Sequence, residues 1–217
     1  VPIQPEEAIR TVKGGTLDLA VEGESTVYTG MCPRNGSSPM WCYGNTCIVR
    51  IGEDVFVSGQ EKLDQFEPLN DCRWTLFKKT ASGWELQQAG RQSRTREPCP
   101  LAVLPGKRLF LSNNPTQLGP EASGGGPARP EILAFDVNDP YAAYCTLLPK
   151  WKGRPGFNEH SYRSFAADAE GDEWILFQNV GYTHAEWALL GKDAKWHSGR
   201  LWWPPYEDKG MVPYGAS

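Results

Sequence analysis

The chain has 217 residues, of which 40% are hydrophobic and 22% are charged, and its formal net charge is −4. The chain is long enough for a sizeable core, and its charge is ordinary for a soluble globular protein. The 22 Lys and Arg residues are scattered and are outnumbered by 26 Asp and Glu residues, so no nucleic-acid partner is predicted. No apolar stretch approaches the roughly 20 residues needed to cross a bilayer, so no membrane span is predicted.

The chain is rich in aromatic and turn-forming residues, with 9 Trp, 8 Tyr, 23 Gly and 18 Pro. This combination is typical of many short strands rather than long helices. In chain order, the first candidate strands lie in the segment Thr16–Thr29, which reads TLDLAVEGESTVYT and could supply two strands.

Twelve apolar runs of strand length follow, and they fall into three units. The runs of the first unit are Thr46–Ile51, Asp54–Ser58, Cys72–Lys78 and Trp84–Gln88. Those of the second are Cys99–Leu104, Arg108–Ser112, Glu131–Val137 and Tyr144–Leu148. Those of the third are Ser161–Ala167, Glu173–Phe177, His184–Leu190 and Trp196–Trp202. Each unit is a short hairpin, a long loop and a second short hairpin.

A repeat of about 50 to 60 residues with this pattern is expected of β-propeller blades. We therefore predict an all-β fold with about three four-stranded antiparallel sheets, forming a segment of a larger propeller. The blades are assigned to 46–90, 91–150 and 151–203, with an N-terminal segment or partial blade at 1–45 and a further start or tail at 204–217. Because propellers typically need four to eight blades, the remaining blades are expected from a longer chain or from self-association.

The number and spacing of the cysteines indicate the cellular compartment of the protein. The six cysteines are Cys32, Cys42, Cys47, Cys72, Cys99 and Cys145. An even count in a loop-rich chain favours disulfides and a secreted or periplasmic location, and at least one disulfide is predicted among the first four. The alternative is that these cysteines are reduced, buried and inert. No C-x-x-C pattern occurs, so neither a metal site nor a cofactor is predicted.

The candidate site lies where two segments of the third unit reach the same rim. In a propeller blade, the segment that leads into the first strand and the loop between the second and third strands open on one face. His160 belongs to the first segment and His184 to the second. The predicted catalytic residues are His160, His184, Tyr162 and Glu159. Residues predicted to bind substrate are Arg163, Tyr182, Glu186, Arg129 and Arg96.

These residue types allow two reactions. A neutral imidazole accepts a proton, a Tyr hydroxyl donates one, and an Arg holds a carboxylate, which together suit β-elimination on a uronic acid. A carboxylate pair such as Glu159 and Glu186 would instead suit glycoside hydrolysis. Each of these residues also has an ordinary structural role, since His often caps strand edges and Tyr and Arg often pack between sheets. His197, on an outer strand, is expected to be a surface or packing residue.

Two segments resemble a known family. The run from Asp168 to Ile175 reads DAEGDEWI, and the run from His160 to Asp168 reads HSYRSFAAD. Both are similar to the repeats of secreted sialidase-like (BNR-repeat) propellers, although the Asp-to-Gly spacing is one residue longer than in an Asp-box and its Thr is missing. The resemblance implies a poly- or oligosaccharide partner. The arginine triad of sialidases cannot be assigned, although Arg96, Arg129 and Arg163 are available.

The sequence therefore predicts a carbohydrate-active propeller, either a polysaccharide lyase or a glycoside hydrolase acting on an acidic glycan. The alternative is a non-catalytic propeller that binds glycan or protein through its long-loop face. An enzyme needs an acid and a base within reach of one bond, whereas a binding module does not.

Overall fold

The computed structural model describes residues 23–31, 33–36, 41, 45–91, 94–104, 106, 108–122, 125–168, 170, 173–180 and 184–202. The described residues form twelve strands and no helix. The strands make three four-stranded antiparallel sheets, each built from four strands that are consecutive in the chain. The all-β class and the three sheets predicted from the sequence are thereby confirmed. None of the described residues forms a helix that could cross a membrane.

The first sheet contains β1 (Ile48–Ile51), β2 (Asp54–Lys62), β3 (Cys72–Thr80) and β4 (Gly83–Ala89). Gly52, with a φ of 61°, begins the two-residue turn that joins β1 to β2, a conformation that Gly adopts without steric cost. Strand β2 continues to Lys62, four residues beyond the predicted end at Ser58. This polar extension is stabilised by pairing with β3, including an ion pair of 2.7 Å between Glu61 and Arg73.

The second sheet contains β5 (Leu101–Leu104), β6 (Arg108–Asn113), β7 (Glu131–Asp136) and β8 (Cys145–Leu147). The third contains β9 (Arg163–Asp168), β10 (Glu173–Val180), β11 (His184–Leu190) and β12 (Trp196–Trp202). Residues 16–22 of the predicted N-terminal strands lie outside the described residues, and 23–29 form no strand. Tyr28 of this segment stacks on Phe77 of the first sheet, with 5.1 Å between ring centroids.

The second sheet is buried on both faces because its strands carry apolar residues at successive positions. Leu109 and Leu111 point into a core shared with Trp74 and Leu76 of the first sheet. Phe110, between them, points into a second core shared with the third sheet. The members of that second core are Ala102, Leu104, Phe110, Ile132, Phe165, Trp174 and Leu176. The two-residue period of a strand thus turns an unbroken apolar run into two packing faces.

The first strands of the three sheets are neighbours: β1 lies against β5, and β5 lies against β9. A backbone hydrogen bond of 2.7 Å from Leu101 to the carbonyl of Thr46 links the start of the second sheet to the segment that leads into the first. The segments that lead into β5 and β9 therefore meet at one rim, together with the loop that follows β6.

Candidate functional site

The site lies at the rim where β9 begins. Arg163, the first residue of β9, pairs with Gln178 of β10, and Val180 pairs with His184, the first residue of β11. His160 lies in a turn just before β9, closed by a backbone hydrogen bond from Ser161 to the Asn158 carbonyl. His160 and His184 therefore lie at the same edge of the third sheet, with strand β10 between β9 and β11. Each has its own set of contacts.

His160 links a buried carboxylate to a tyrosine hydroxyl. Its Nδ1 lies 2.7 Å from Oε1 of Glu97, and its Nε2 lies 2.9 Å from the hydroxyl of Tyr162. The Glu97 side chain is 0% exposed, whereas that of His160 is 22% exposed. An ionised Glu97 accepts a hydrogen bond from Nδ1–H, which leaves Nε2 to accept one from the Tyr162 hydroxyl. The three groups form a relay from the interior to the partly exposed rim.

Glu97 was not predicted as a site residue, because 63 positions separate it from His160. A usable signal was nevertheless present in the sequence. Glu97 lies in the segment that leads into the second unit, as His160 does for the third, and the predicted architecture places such segments on the same face. Applying that rule to every unit would have brought the two residues together.

Arg96 holds two carboxylates at the base of the relay. Its Nη1 donates to Oε1 of Glu159 at 3.1 Å, and its Nε lies 3.6 Å from Oε1 of Glu97. The second oxygen of Glu159 accepts from the backbone N–H of Gly126 at 2.9 Å. Glu159 is 5% exposed. Both oxygens of Glu159 are thus engaged within the protein, and the charge of Arg96 is matched by carboxylates of the chain itself.

The side chain of Arg163 also forms its hydrogen bonds within the protein. It is 3% exposed, and its Nη2 donates to the carbonyls of Glu97 at 3.0 Å and Pro98 at 2.7 Å. Nε and Nη1 of Arg163 and Oε1 of Gln178 are buried without a hydrogen-bond partner among the described residues. Buried polar atoms of this kind are commonly satisfied by water. Arg163 braces the segment before β5 against β9, and this buried position does not suit a carboxylate clamp open to a substrate.

His184 belongs to a second cluster. Its Nε2 lies 3.4 Å from Oε1 of Glu186, a fully buried carboxylate that also accepts from Nη2 of Arg200 at 2.6 Å. The imidazole packs against the ring of Trp202, with 4.8 Å between centroids. Burial lowers the pKa of His184, and the positive charge of Arg200 acts in the same direction. The neutral imidazole is therefore favoured.

The two remaining predicted residues are Tyr182 and Arg129. Tyr182 lies outside the described residues. Arg129 is exposed on the loop that joins β6 to β7, where it lines a groove rather than the relay. Arg200, which holds Glu186, was not predicted, because a single Arg on an outer strand carries no sequence signal.

Three of the described cysteines are thiols. Cys72 and Cys99 are buried and free, and Cys145 is exposed and free. Burial raises the pKa of Cys99 to about 11, although the nearby Arg163 opposes that rise. Burial and the neighbouring Asp71 raise the pKa of Cys72 as well. Cys32 and Cys42 lie outside the described residues, so a disulfide that involves them stays a prediction.

No protein-family model and no curated protein sequence matches this chain. The chemistry of the rim therefore has to be argued from its own residues.

Proposed function

We propose that the three sheets are consecutive blades of a β-propeller and that their rim acts on an acidic glycan by β-elimination. The blade assignment is supported by the neighbouring first strands and by the central sheet, which is buried on both faces. Twisted four-stranded sheets stacked in this way around their first strands are the architecture of propellers.

The observation that carries the reaction is the relay of Tyr162, His160 and Glu97. His160 draws the proton from the Tyr162 hydroxyl, and Glu97 stabilises the imidazolium that forms. The phenolate oxygen then removes the proton from the carbon next to the uronate carboxyl group. The electron pair of that C–H bond becomes a carbon–carbon double bond, and the bond to the glycosidic oxygen breaks. The leaving oxygen takes the proton that Tyr162 has just accepted, and His160 returns its own proton to the phenolate, which restores the relay.

Hydrolysis is less well supported by the same geometry. It needs two carboxyl groups on either side of the scissile bond. Glu159 is bound by Arg96 and Gly126, and Glu186 is bound by Arg200 in the other cluster. Both carboxylates are buried, at 5% and 0% exposure, so neither is presented to a substrate.

A second candidate function is non-catalytic binding of glycan or protein by the same face. It is favoured by the internal pairing of the predicted clamp: Arg96 is matched by Glu97 and Glu159, and Arg163 donates to backbone carbonyls. A network of this kind stabilises a rim without performing chemistry.

Analysis of the reaction products distinguishes elimination, hydrolysis and non-catalytic binding. The chain would be incubated with a panel of uronate-containing polysaccharides, and two signals would be followed. β-Elimination predicts ultraviolet absorbance from a double bond conjugated to a carboxylate, together with new reducing ends. New reducing ends without that absorbance would indicate hydrolysis. Binding without either signal would favour the non-catalytic alternative.

A further inference from the structure

A second feature of the same rim is a groove of about 710 Å³ beside the relay. One wall is the loop between β6 and β7, and the other is the linker between β8 and β9. The lining includes Gln117, Pro127, Arg129, Trp151, Arg154 and Phe157. The volume falls within the range of about 300–1,000 Å³ that is usual for ligand pockets.

The groove is basic in a chain whose net charge is −4. Arg129 and Arg154 are exposed, and neither side chain forms an ion pair with any described residue. The linker between β8 and β9 contains Lys150, Lys152 and Arg154, and its one acidic residue, Glu159, is paired with Arg96. The groove lining contains no acidic residue either. By contrast, Arg96, which lies next to the relay, is paired with the carboxylates of Glu97 and Glu159. Positive charge is therefore available to a ligand in the groove, where it is not available at the relay.

The groove walls are held in place before any ligand arrives. Ala128 donates a backbone hydrogen bond of 3.1 Å to the carbonyl of Phe157, which joins the two walls. Trp151 packs edge-on against Phe157, with 4.7 Å between ring centroids. Four lining residues are prolines, whose fixed φ restricts the backbone. Because these walls are already ordered, ligand binding costs little additional chain ordering, which favours affinity.

The groove adjoins the relay through a short backbone strap, which we define as residues 125–129 paired with 157–159. Within it, Pro127 forms a β-bridge with Asn158, and the backbone N–H of Glu159 donates to the carbonyl of Gly126 at 3.1 Å. Phe157 lines the groove, while His160, three residues later, belongs to the relay. One extended polymer can therefore contact both places.

We propose that this groove is an outlying subsite that binds an anionic sugar unit of the same polymer. Arg129 and Arg154 contact the anionic group, and Trp151 provides an apolar ring surface for the sugar. The inference rests on the proposed function for the identity of the polymer. The anionic group is a carboxylate or a sulfate ester, since a guanidinium binds either one in the same bidentate manner.

Calorimetric titration of the whole chain tests this subsite with three probes: oligogalacturonate, dextran sulfate and neutral dextran. We expect binding to at least one anionic probe and none to dextran, and the anionic probe that binds identifies the group. The double variant Arg129→Ala/Arg154→Ala should bind that probe about tenfold more weakly or worse, because two charge-assisted contacts are lost. The charge-matched control is Lys79→Ala/Lys192→Ala, at exposed hairpin positions on the opposite edge of the sheets, and it should bind like the parent.

Three results would overturn the subsite: equal binding by the parent and the Arg variant, an equal loss in the Lys control, or no anionic probe bound at all. A Tyr162→Phe chain separates this inference from the proposed reaction, because it removes the catalytic hydroxyl but keeps both groove arginines, so adding Arg129→Ala/Arg154→Ala to it should still weaken binding about tenfold. Groove-dependent binding by a parent that eliminates no polymer would support the subsite and reject the elimination. Elimination by a parent whose binding is insensitive to the Arg variant would reject only the subsite.

Discussion

At the scale of single residues, Glu97 orients the imidazole of His160 at the rim. It is 0% exposed and touches both the imidazole of His160 and the guanidinium of Arg96. A carboxylate in such a position is stabilised by the cation and the hydrogen bond rather than by water. Because a carboxylate only accepts hydrogen bonds, this contact favours the His160 tautomer with its proton on Nδ1, and Nε2 faces the Tyr162 hydroxyl. The orientation of the relay follows from this one buried charge.

The second histidine, His184, makes stability depend on pH. Burial lowers its pKa in the fold, with Arg200 contributing, so the unfolded chain binds a proton at His184 more tightly than the folded chain does. The free energy of unfolding should consequently fall as the pH drops through the ordinary His value of about 6.5 towards the lower folded value. Above that pH window, the free energy of unfolding is not reduced by protonation of His184.

Urea unfolding midpoints measured between about pH 8 and pH 5 check this dependence. The His184→Gln chain should lose less stability across the window than the parent, since its residue 184 does not titrate. Comparing the two chains cancels the contributions of His160 and His197. Parallel curves for both chains would show that His184 does not contribute.

At the scale of elements, the strap positions Glu159. A Cβ placed on Gly125 would meet both carboxylate oxygens and the carboxyl carbon of Glu159, so this glycine permits a close approach of backbone to side chain. Gly126 then donates its N–H to the same carboxylate.

The expected consequence is that Gly125→Ala displaces Glu159 from Arg96 and lowers the free energy of unfolding by about 1–3 kcal/mol, as overpacking usually does. The matched control is Gly156→Ala on the other side of the groove, where a Cβ meets nothing within 4 Å. Urea unfolding of the two variants measures both values. Equal stabilities would mean that Glu159 moves aside without cost and that the strap does not position it.

At the scale of the whole molecule, periodicity predicted the sheets well because each strand carries its own pattern. The unbroken apolar run of β5 and β6 reads as buried strand, and it is buried on both faces. The end of β2 was misplaced because Gln60, Glu61 and Lys62 look like loop until their partners on β3 are known.

The site was less predictable than the sheets, because its residues are brought together by tertiary contacts. His160 and Tyr162 are close in sequence and could be paired from it, whereas Glu97 reaches them only through the packing of β5 on β9. Likewise, the predicted clamp residues Arg96 and Arg163 proved to be neutralised or buried, which depends on tertiary partners that sequence spacing does not reveal.

In the proposed reaction, Tyr162, His160 and Glu97 act as one proton-transfer unit. The most direct test is the turnover number of four variant chains on the polymer that the parent cleaves, with the folding of each checked by its urea midpoint. The Tyr162→Phe and His160→Ala chains should each lose roughly 10²–10⁴-fold in kcat, and their double variant should lose little more, because parts of one unit are not additive. The chain carrying His197→Ala, at an exposed position on β12, should match the parent. Folded Tyr162→Phe or His160→Ala chains that turn over the polymer at the parental rate would contradict the claim.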